Sequence, residues 1–144
     1  EYEADDLVLS YKSQSSKECI IVSPDKDILN LVGTHYNPRK NEFVVTTLEE
    51  AENYFWKSMM VGDTADNIKG IAGIGPANAE RIISNKPLFT SLRAIVLDEY
   101  CTKYGEDAGI INFYINYRCL KIVDTIPLEF LQDVKLNNVE GLSE

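Results

Sequence analysis

Residues 62–79 read Gly-Asp-Thr-Ala-Asp-Asn-Ile-Lys-Gly-Ile-Ala-Gly-Ile-Gly-Pro-Ala-Asn-Ala. Asp63 and Asp66 stand three residues apart, close enough for their carboxylates to serve one ion. The Gly73-Ile74-Gly75 step predicts a hairpin between two short helices. Such a hairpin exposes backbone N–H groups at a helix N-terminus, where they bind a phosphate without any cationic side chain. A purely structural turn would not need the two aspartates beside it.

The segments before and after this stretch have different patterns of secondary-structure signals. After it, the spacing of apolar residues predicts helices over 76–84, 91–104 and 106–123, with few strand signals. Before it, helical and extended patterns alternate. They predict a helix over 3–12, a buried parallel-sheet strand over 18–23, a short helix over 25–32, an extended segment over 33–47 with a strand at 43–45, and a helix from Thr47 to about 61. We therefore predict an α/β fold with one domain over residues 1–61 and a helical domain over 62–144.

A second acidic block, Glu3-Ala4-Asp5-Asp6, lies on one predicted helical turn. On a helix Glu3 and Asp6 share a face and Asp5 is offset, so two of the three carboxylates point toward a common ion. The alternative is an acidic helix start that only favours the helix dipole. The block by itself does not decide between them.

A third block, Ser23-Pro24-Asp25-Lys26-Asp27, follows the predicted strand directly. In open α/β sheets ligands gather beyond the carboxyl ends of strands, which favours a metal or substrate site here. A turn in which Ser23 or Asp25 caps the next helix explains the same residues equally well.

Composition sets limits on function. The formal net charge of −9 argues against nucleic-acid binding, which usually leaves a basic footprint. The seven carboxylates of the three blocks account for most of that charge, and bound divalent cations would reverse its local sign. No apolar run reaches the ~18 residues of a membrane span. The sequence contains no Ser/His/Asp set, Cys/His pair or phosphate-binding P-loop, and its one histidine, His35, is predicted to be exposed in a polar turn.

The three blocks, in this order, resemble the 5′-nuclease superfamily, which includes the 5′–3′ exonuclease domain of bacterial DNA polymerase I and the phage flap endonucleases. The motifs that carry the resemblance are E-A-D-D, S-x-D-K-D and G-D-x-x-D-N-I-x-G-x-x-G-I-G-x-x-x-A, and they span residues 3–79. The resemblance implies part of a PIN-like, 5′-nuclease parallel sheet with helices, followed by an α-helical helix-hairpin-helix (H3TH-like) module.

The resemblance also implies roles for individual residues. Glu3, Asp5 and Asp25 would lie nearest the first of two Mg²⁺ or Mn²⁺ ions, with Asp6 and Asp27 in the surrounding acidic cluster, while Asp63 and Asp66 would help to hold the second. Gly73, Ile74 and Gly75 would follow duplex DNA, with K⁺ among the hairpin carbonyls. Candidates for phosphate contacts are Lys69, Arg81 and Lys86, each of which is otherwise an ordinary surface charge.

We therefore expect a metal-dependent 5′–3′ exonuclease or flap endonuclease acting on 5′-flap, nicked or branched DNA, in the cytoplasm and encoded by a bacterium or phage. Family members carry a strand with an aspartate, a further metal-binding aspartate and a basic arch upstream of the E-A-D-D block. We expect activity to need that amino-terminal segment. The alternatives are a non-catalytic helix-hairpin-helix DNA-binding module, a subunit of a split nuclease, and an acidic domain that binds calcium or no ion.

Overall fold

The computed structural model describes residues 3–15, 18–27, 31–122 and 126. The mixed α/β class is confirmed, and the chain divides into two compact units, Glu1–Cys19 with Ile122–Glu144, and Ile20–Lys121. The predicted division at residue 62 stays a prediction. In chain order the elements are α1 (Ala4–Gln14), β1 (Ile21–Val22), β2 (Gly33–Asn37), β3 (Glu42–Thr46), α2 (Leu48–Val61), β4 (Gly62–Asp63), β5 (Ile68–Lys69), α3 (Pro76–Ser84), α4 (Leu92–Tyr104) and α5 (Glu106–Leu120).

The smaller unit contains α1, the helix predicted at the start of the chain. Its first turn is acidic, and the Glu3 backbone N–H donates to Asp6 Oδ2 at 3.0 Å. The side chain of Ser10 is fully buried, and its hydroxyl oxygen accepts a hydrogen bond from the Ile126 N–H at 3.0 Å. This bond joins α1 to a residue more than one hundred positions further along the chain.

The larger unit begins with a three-stranded sheet in the order β1-β2-β3. The β1–β2 pair is parallel, and β2 and β3 form an antiparallel hairpin that turns through Asn41 at φ 53°. The strand predicted at 43–45 is confirmed, whereas the strand predicted over 18–23 is reduced to two residues. His35 lies in β2 and is buried, with Nε2 2.7 Å from the Leu31 carbonyl oxygen, so its predicted exposure was wrong. Residues 28–30 of the helix predicted over 25–32 lie outside the described residues.

The helix α2 begins at a reciprocal cap. The Glu50 N–H donates to Thr47 Oγ1 at 3.2 Å, and the Thr47 N–H donates to Glu50 Oε2 at 2.8 Å. These two bonds satisfy N–H groups that have no partner within the helix. The predicted helix and its capping box are confirmed.

The core of the larger unit is formed by α2 to α5. Its largest fully buried side chains include Tyr100, Phe113 and Met59. The Tyr100 hydroxyl donates to the Met59 carbonyl at 2.5 Å and accepts from Asn116 Nδ2 at 2.7 Å, so this buried polar group is satisfied. Three of the predicted helices are confirmed here, although α5 ends at Leu120 instead of 123. No helix in the described part of the chain is long and apolar enough to span a bilayer.

A backbone contact between Gly62 and Gly70 joins the end of α2 to the following loop. A Cβ added to Gly62 would lie 2.4 Å from the Gly70 nitrogen, and a Cβ on Gly70 would lie 2.3 Å from the Met60 carbonyl oxygen. The Ile71 N–H donates to that same oxygen at 2.7 Å. Only glycine permits this approach, and it pairs the two-residue strands β4 and β5, which the sequence did not predict.

The turn before α3 differs in part from the predicted hairpin. Gly73 has φ 93° and α3 follows it, as expected, but on the upstream side the described chain runs through β5 instead of a short helix. The reason is the Gly62–Gly70 contact, which holds residues 68 and 69 extended against the end of α2.

We predict that Gly62→Ala and Gly70→Ala each lower the free energy of unfolding by at least about 2 kcal/mol, because a methyl group there collides with backbone. Gly75→Ala is the matched control. A Cβ at Gly75 meets nothing within 4 Å and its φ is −95°, so we expect a change of less than about 1 kcal/mol. Urea denaturation measures all three. Equal losses at the three positions would contradict the proposed contact.

Candidate metal centre

Asp63 and Asp66 lie on the turn that connects β4 to β5. The Ala65 N–H donates to Asp63 Oδ1 at 2.7 Å, and Asn67 closes the turn at φ 56°. Asparagine tolerates this left-handed conformation better than most residues. The side chain of Asp63 is only 10% exposed, whereas Asp66 is exposed.

The second acidic segment forms a tight turn after β1. The Asp25 N–H donates to Ser23 Oγ and the Asp27 N–H donates to Asp25 Oδ1, both at 3.1 Å. The Ser23 N–H continues the sheet by donating to the Tyr36 carbonyl at 3.1 Å. Ser23 and Asp25 therefore stabilise the turn through their side chains. The turn places Asp27 beside the β4–β5 turn.

The carboxylates of Asp27, Asp63 and Asp66 come together in the larger unit. One oxygen from each lies within 4.8 Å of the other two. Lys26 Nζ lies 2.6 Å from Asp63 Oδ2, so an ammonium group already stands beside one of the carboxylates. Carboxylate oxygens are the hard donors that Mg²⁺ and Mn²⁺ prefer, and this set of residues fits such an ion.

The cluster displaces two pKa values in opposite directions. Burial raises the pKa of Asp27, and the negative charges of Asp25, Asp63 and Asp66 raise it further against the opposing effect of Lys26. The hydrogen bond from Lys26 lowers the pKa of Asp63, assisted by the Ala65 N–H. Crowded carboxylates that resist ionisation together are common where a protein binds a cation.

The seven predicted carboxylates are thus distributed over two units. Glu3, Asp5 and Asp6 lie at the first turn of α1 in the smaller unit, where Asp6 accepts the Glu3 N–H. Asp25 belongs to the turn that presents Asp27, and it lines an open depression of about 470 Å³ together with Ser23, Pro24, Lys26 and Arg39. The larger unit groups Asp27 with Asp63 and Asp66, whereas the resemblance grouped it with the first-metal residues. The metal-binding roles of all seven stay predictions.

The glycine turn before α3 leaves open space around its backbone. A Cβ on Gly73 or Gly75 would meet nothing within 4 Å. Gly75 is the residue that precedes the first turn of α3, and no protein contact or backbone angle there requires glycine. The predicted cationic residues Lys69, Arg81 and Lys86 are all exposed, on β5, on α3 and after α3.

Two residues of this region were not predicted from the sequence. Tyr54 on α2 is half-buried, and burial together with the charge of Asp27 raises its pKa. Lys26 was overlooked although it stands between two aspartates. The alternation Asp25-Lys26-Asp27 was the available signal, because a cation inside an acidic motif is a natural counter-ion.

The sequence of the chain was compared with those of known proteins. No family model matches the sequence. The chain is 35% identical over 107 aligned residues, 65% of its length, to a protein named 5′–3′ exonuclease from Mycoplasmopsis pulmonis, and 38% identical over 96 residues, 57% of its length, to one from Aquifex aeolicus.

The chain is a homologue of 5′–3′ exonucleases. A DNA polymerase I from Borreliella burgdorferi is 27% identical over 155 aligned positions, which include 95% of the chain. The chain spans 35% and 32% of the length of the two exonucleases and 17% of the polymerase.

In this exonuclease homologue, the opposite pKa shifts predict opposite effects of two isosteric changes on the metal-free protein. The raised pKa of Asp27 means that stability falls as pH rises between the ordinary aspartate value and the raised one. Asp27→Asn should therefore raise the melting temperature at neutral pH. The lowered pKa of Asp63 means that its stabilisation is present above the ordinary value and lost as pH falls through the lowered one. Asp63→Asn should therefore lower the melting temperature.

Thermal melts in a chelating buffer at neutral and strongly acid pH test both changes. Each difference from the wild type should shrink in acid, where the carboxyl groups are protonated in folded and unfolded chains alike. Shifts of the same sign at neutral pH for the two variants would contradict the assignment.

Proposed function

We propose that this chain is the carboxyl-terminal part of a divalent-metal-dependent 5′–3′ exonuclease or flap endonuclease that hydrolyses DNA phosphodiester bonds. The observation that carries the proposal is the approach of Asp27, Asp63 and Asp66 to within 4.8 Å of one another, in a homologue of 5′–3′ exonucleases. Three carboxylates from two separate turns have no structural need to crowd together, and their crowding has an energetic cost that a bound cation would offset.

One of the two metal ions would be held within the larger unit. Asp27, Asp63 and Asp66 would hold one Mg²⁺ or Mn²⁺. For Glu3, Asp5, Asp6 and Asp25, a role at the other ion is implied by the resemblance alone. When bound, two such ions supply an activated water and stabilise the leaving oxygen of the scissile phosphodiester. Tyr54, whose pKa is raised by burial and by the charge of Asp27, would be a neutral hydrogen-bond donor available near the cluster.

The DNA duplex would be held by the turn before α3. The free N–H groups at the start of a helix of nine residues favour an anion, and the bare backbone of Gly73 and Gly75 lets a phosphate approach closely. Ile74 lies between these glycines, and carbonyl groups of this turn would hold K⁺. Nearby phosphates would be contacted by Lys69, Arg81 and Lys86.

The proposed activity depends on more polypeptide than this chain provides. The strand β1 pairs only with β2 among the described residues, so its other edge has backbone N–H and C=O groups to which a further strand could pair. An amino-terminal segment of the kind that 5′-nucleases carry would extend the sheet and add metal ligands. Residues 1–61 would then belong to the catalytic domain and 62–144 to the DNA-binding domain, acting on 5′-flap, nicked or branched DNA in the cytoplasm.

The nuclease proposal is tested by cleavage of a 5′-flap DNA in Mg²⁺ or Mn²⁺, with the chain alone and with the amino-terminal portion of an exonuclease relative added or fused. We expect cleavage only in the combined protein. Asp63→Asn should reduce it by about a hundredfold or more, because a carboxylate of the proposed metal centre is lost. Asp98→Asn on the exposed surface of α4 is the matched control and should leave the rate unchanged.

Tight DNA binding without cleavage by the combined protein would instead support the non-catalytic helix-hairpin-helix module. Full activity of Asp63→Asn would reject the assigned metal role.

The DNA-binding role of the turn is tested by enlarging residue 75 in steps. We expect Gly75→Ala, Gly75→Ser and Gly75→Val to weaken duplex binding progressively, about tenfold or more for valine, because each side chain fills the space that a phosphate would enter. Fluorescence anisotropy with a labelled duplex measures the affinity, and thermal melts show that the variants remain folded. Unchanged affinity in all three would remove this turn from the DNA interface.

A further inference from the structure

Lys26 has an unusual position for a surface lysine, because it belongs to the acidic turn after β1 but forms an ion pair with a carboxylate of another segment. Its Nζ lies 2.6 Å from Asp63 Oδ2, across 37 positions of sequence. The hydrogen bond to Asp63 raises the pKa of Lys26 against the opposing effect of burial, and the charges of Asp27 and Asp63 raise it further. The ammonium therefore forms an ion pair with one of the three clustered carboxylates.

Both oxygens of Asp63 are engaged in this arrangement. Oδ1 accepts the Ala65 N–H at 2.7 Å, and Oδ2 accepts Lys26. The Ala65 bond belongs to the β4–β5 turn and stays with it. Each oxygen keeps a lone pair that a cation could bind, but a cation that approaches Oδ2 competes with the Lys26 ammonium for it.

Lys26 can leave this contact at low cost. Its side chain is 59% exposed, and ion pairs that reach into solvent contribute little because water screens them. Lys26 also lines the open depression that contains Asp25 and Arg39, so the released ammonium stays in a solvent-filled space beside a second cation.

We propose that Lys26 is a built-in counter-cation of the acidic cluster, which holds Asp63 in the metal-free protein and gives up this contact when a divalent ion binds. The inference rests on the proposed metal centre and adds that Lys26 and the divalent ion compete for Asp63. Lys26 stabilises the crowded carboxylates when no metal is present, and it lowers the affinity for metal because its ammonium competes for Asp63 Oδ2 and repels the incoming ion. The released lysine then shares the depression with Arg39, where the two cations can meet a phosphate of the DNA.

The test uses the 144-residue chain and Mn²⁺ as the probe, with affinity measured by isothermal titration calorimetry. Lys26→Met keeps the length of the side chain and removes its charge, and it should bind Mn²⁺ at least about fivefold more tightly than the wild type. Lys26→Arg keeps the competing charge and should bind within about twofold of the wild type.

The matched control is Lys57→Met. It also breaks a lysine–carboxylate pair, between Lys57 Nζ and Glu80 Oε2 at 2.5 Å, and changes the net charge by the same amount. We expect no change in Mn²⁺ affinity beyond about twofold, because Lys57 pairs with Glu80 and not with a carboxylate of the cluster.

Thermal melts of the same proteins provide a second readout that a merely structural lysine would not produce. In a chelating buffer Lys26→Met should melt below the wild type, because the carboxylates lose their counter-ion. In saturating Mn²⁺ the difference should vanish or reverse, because the variant binds the stabilising ion more tightly.

The failures of the two proposals are distinguishable. If the wild type binds Mn²⁺ and Asp27→Asn weakens that binding, but Lys26→Met binds no more tightly than the wild type, the competition is refuted and the metal centre stands. If neither the wild type nor Lys26→Met binds Mn²⁺, both proposals fail.

Discussion

The backbone contact between Gly62 and Gly70 is the constraint on which the larger unit depends. It anchors the end of α2 to the loop that follows, at distances that no side chain could tolerate. Asp63 comes immediately after the first glycine and lies on the β4–β5 turn that this contact closes. The same contact determines where the chain leaves the end of α2 toward Gly73 and α3. The Gly62–Gly70 contact therefore fixes the positions of both the candidate metal centre and the candidate phosphate-binding turn relative to the buried core of helices.

The acidic cluster adds an electrostatic constraint to this steric one. Three carboxylates lie close together, and burial with mutual repulsion raises the pKa of Asp27. The protein tolerates this because Lys26 supplies a positive charge to Asp63 and because Asp66 remains in solvent. Sites that are built for a cation commonly lower the stability of the metal-free protein in this way. The net charge of −9 is understandable on these terms, since part of it is concentrated where positive ions would bind.

Local signals in the sequence predicted most of the helices, and contacts between distant segments explain what they did not predict. The Thr47–Glu50 capping box and the apolar period of α3 to α5 depend on neighbouring residues, so they could be recognised without a structure. The strands β4 and β5 exist because of the Gly62–Gly70 contact, which no local pattern reveals. For the site, the spacing of residues 63 and 66 predicted a shared ion, but the approach of Asp27 depends on how the turn after β1 is folded. The pairing of Lys26 with Asp63 also required knowing how two separate turns meet.

The central claim is that a divalent ion binds at Asp27, Asp63 and Asp66 of this chain. Paramagnetic broadening tests it most directly, since Mn²⁺ selectively weakens the amide NMR signals of residues close to it. With substoichiometric Mn²⁺ added to ¹⁵N-labelled protein, we predict that signals of residues 25–27 and 63–67 disappear first, while those of α4 remain sharp. Uniform broadening, or first loss at an unrelated acidic surface such as Glu106 and Asp107, would contradict the claim.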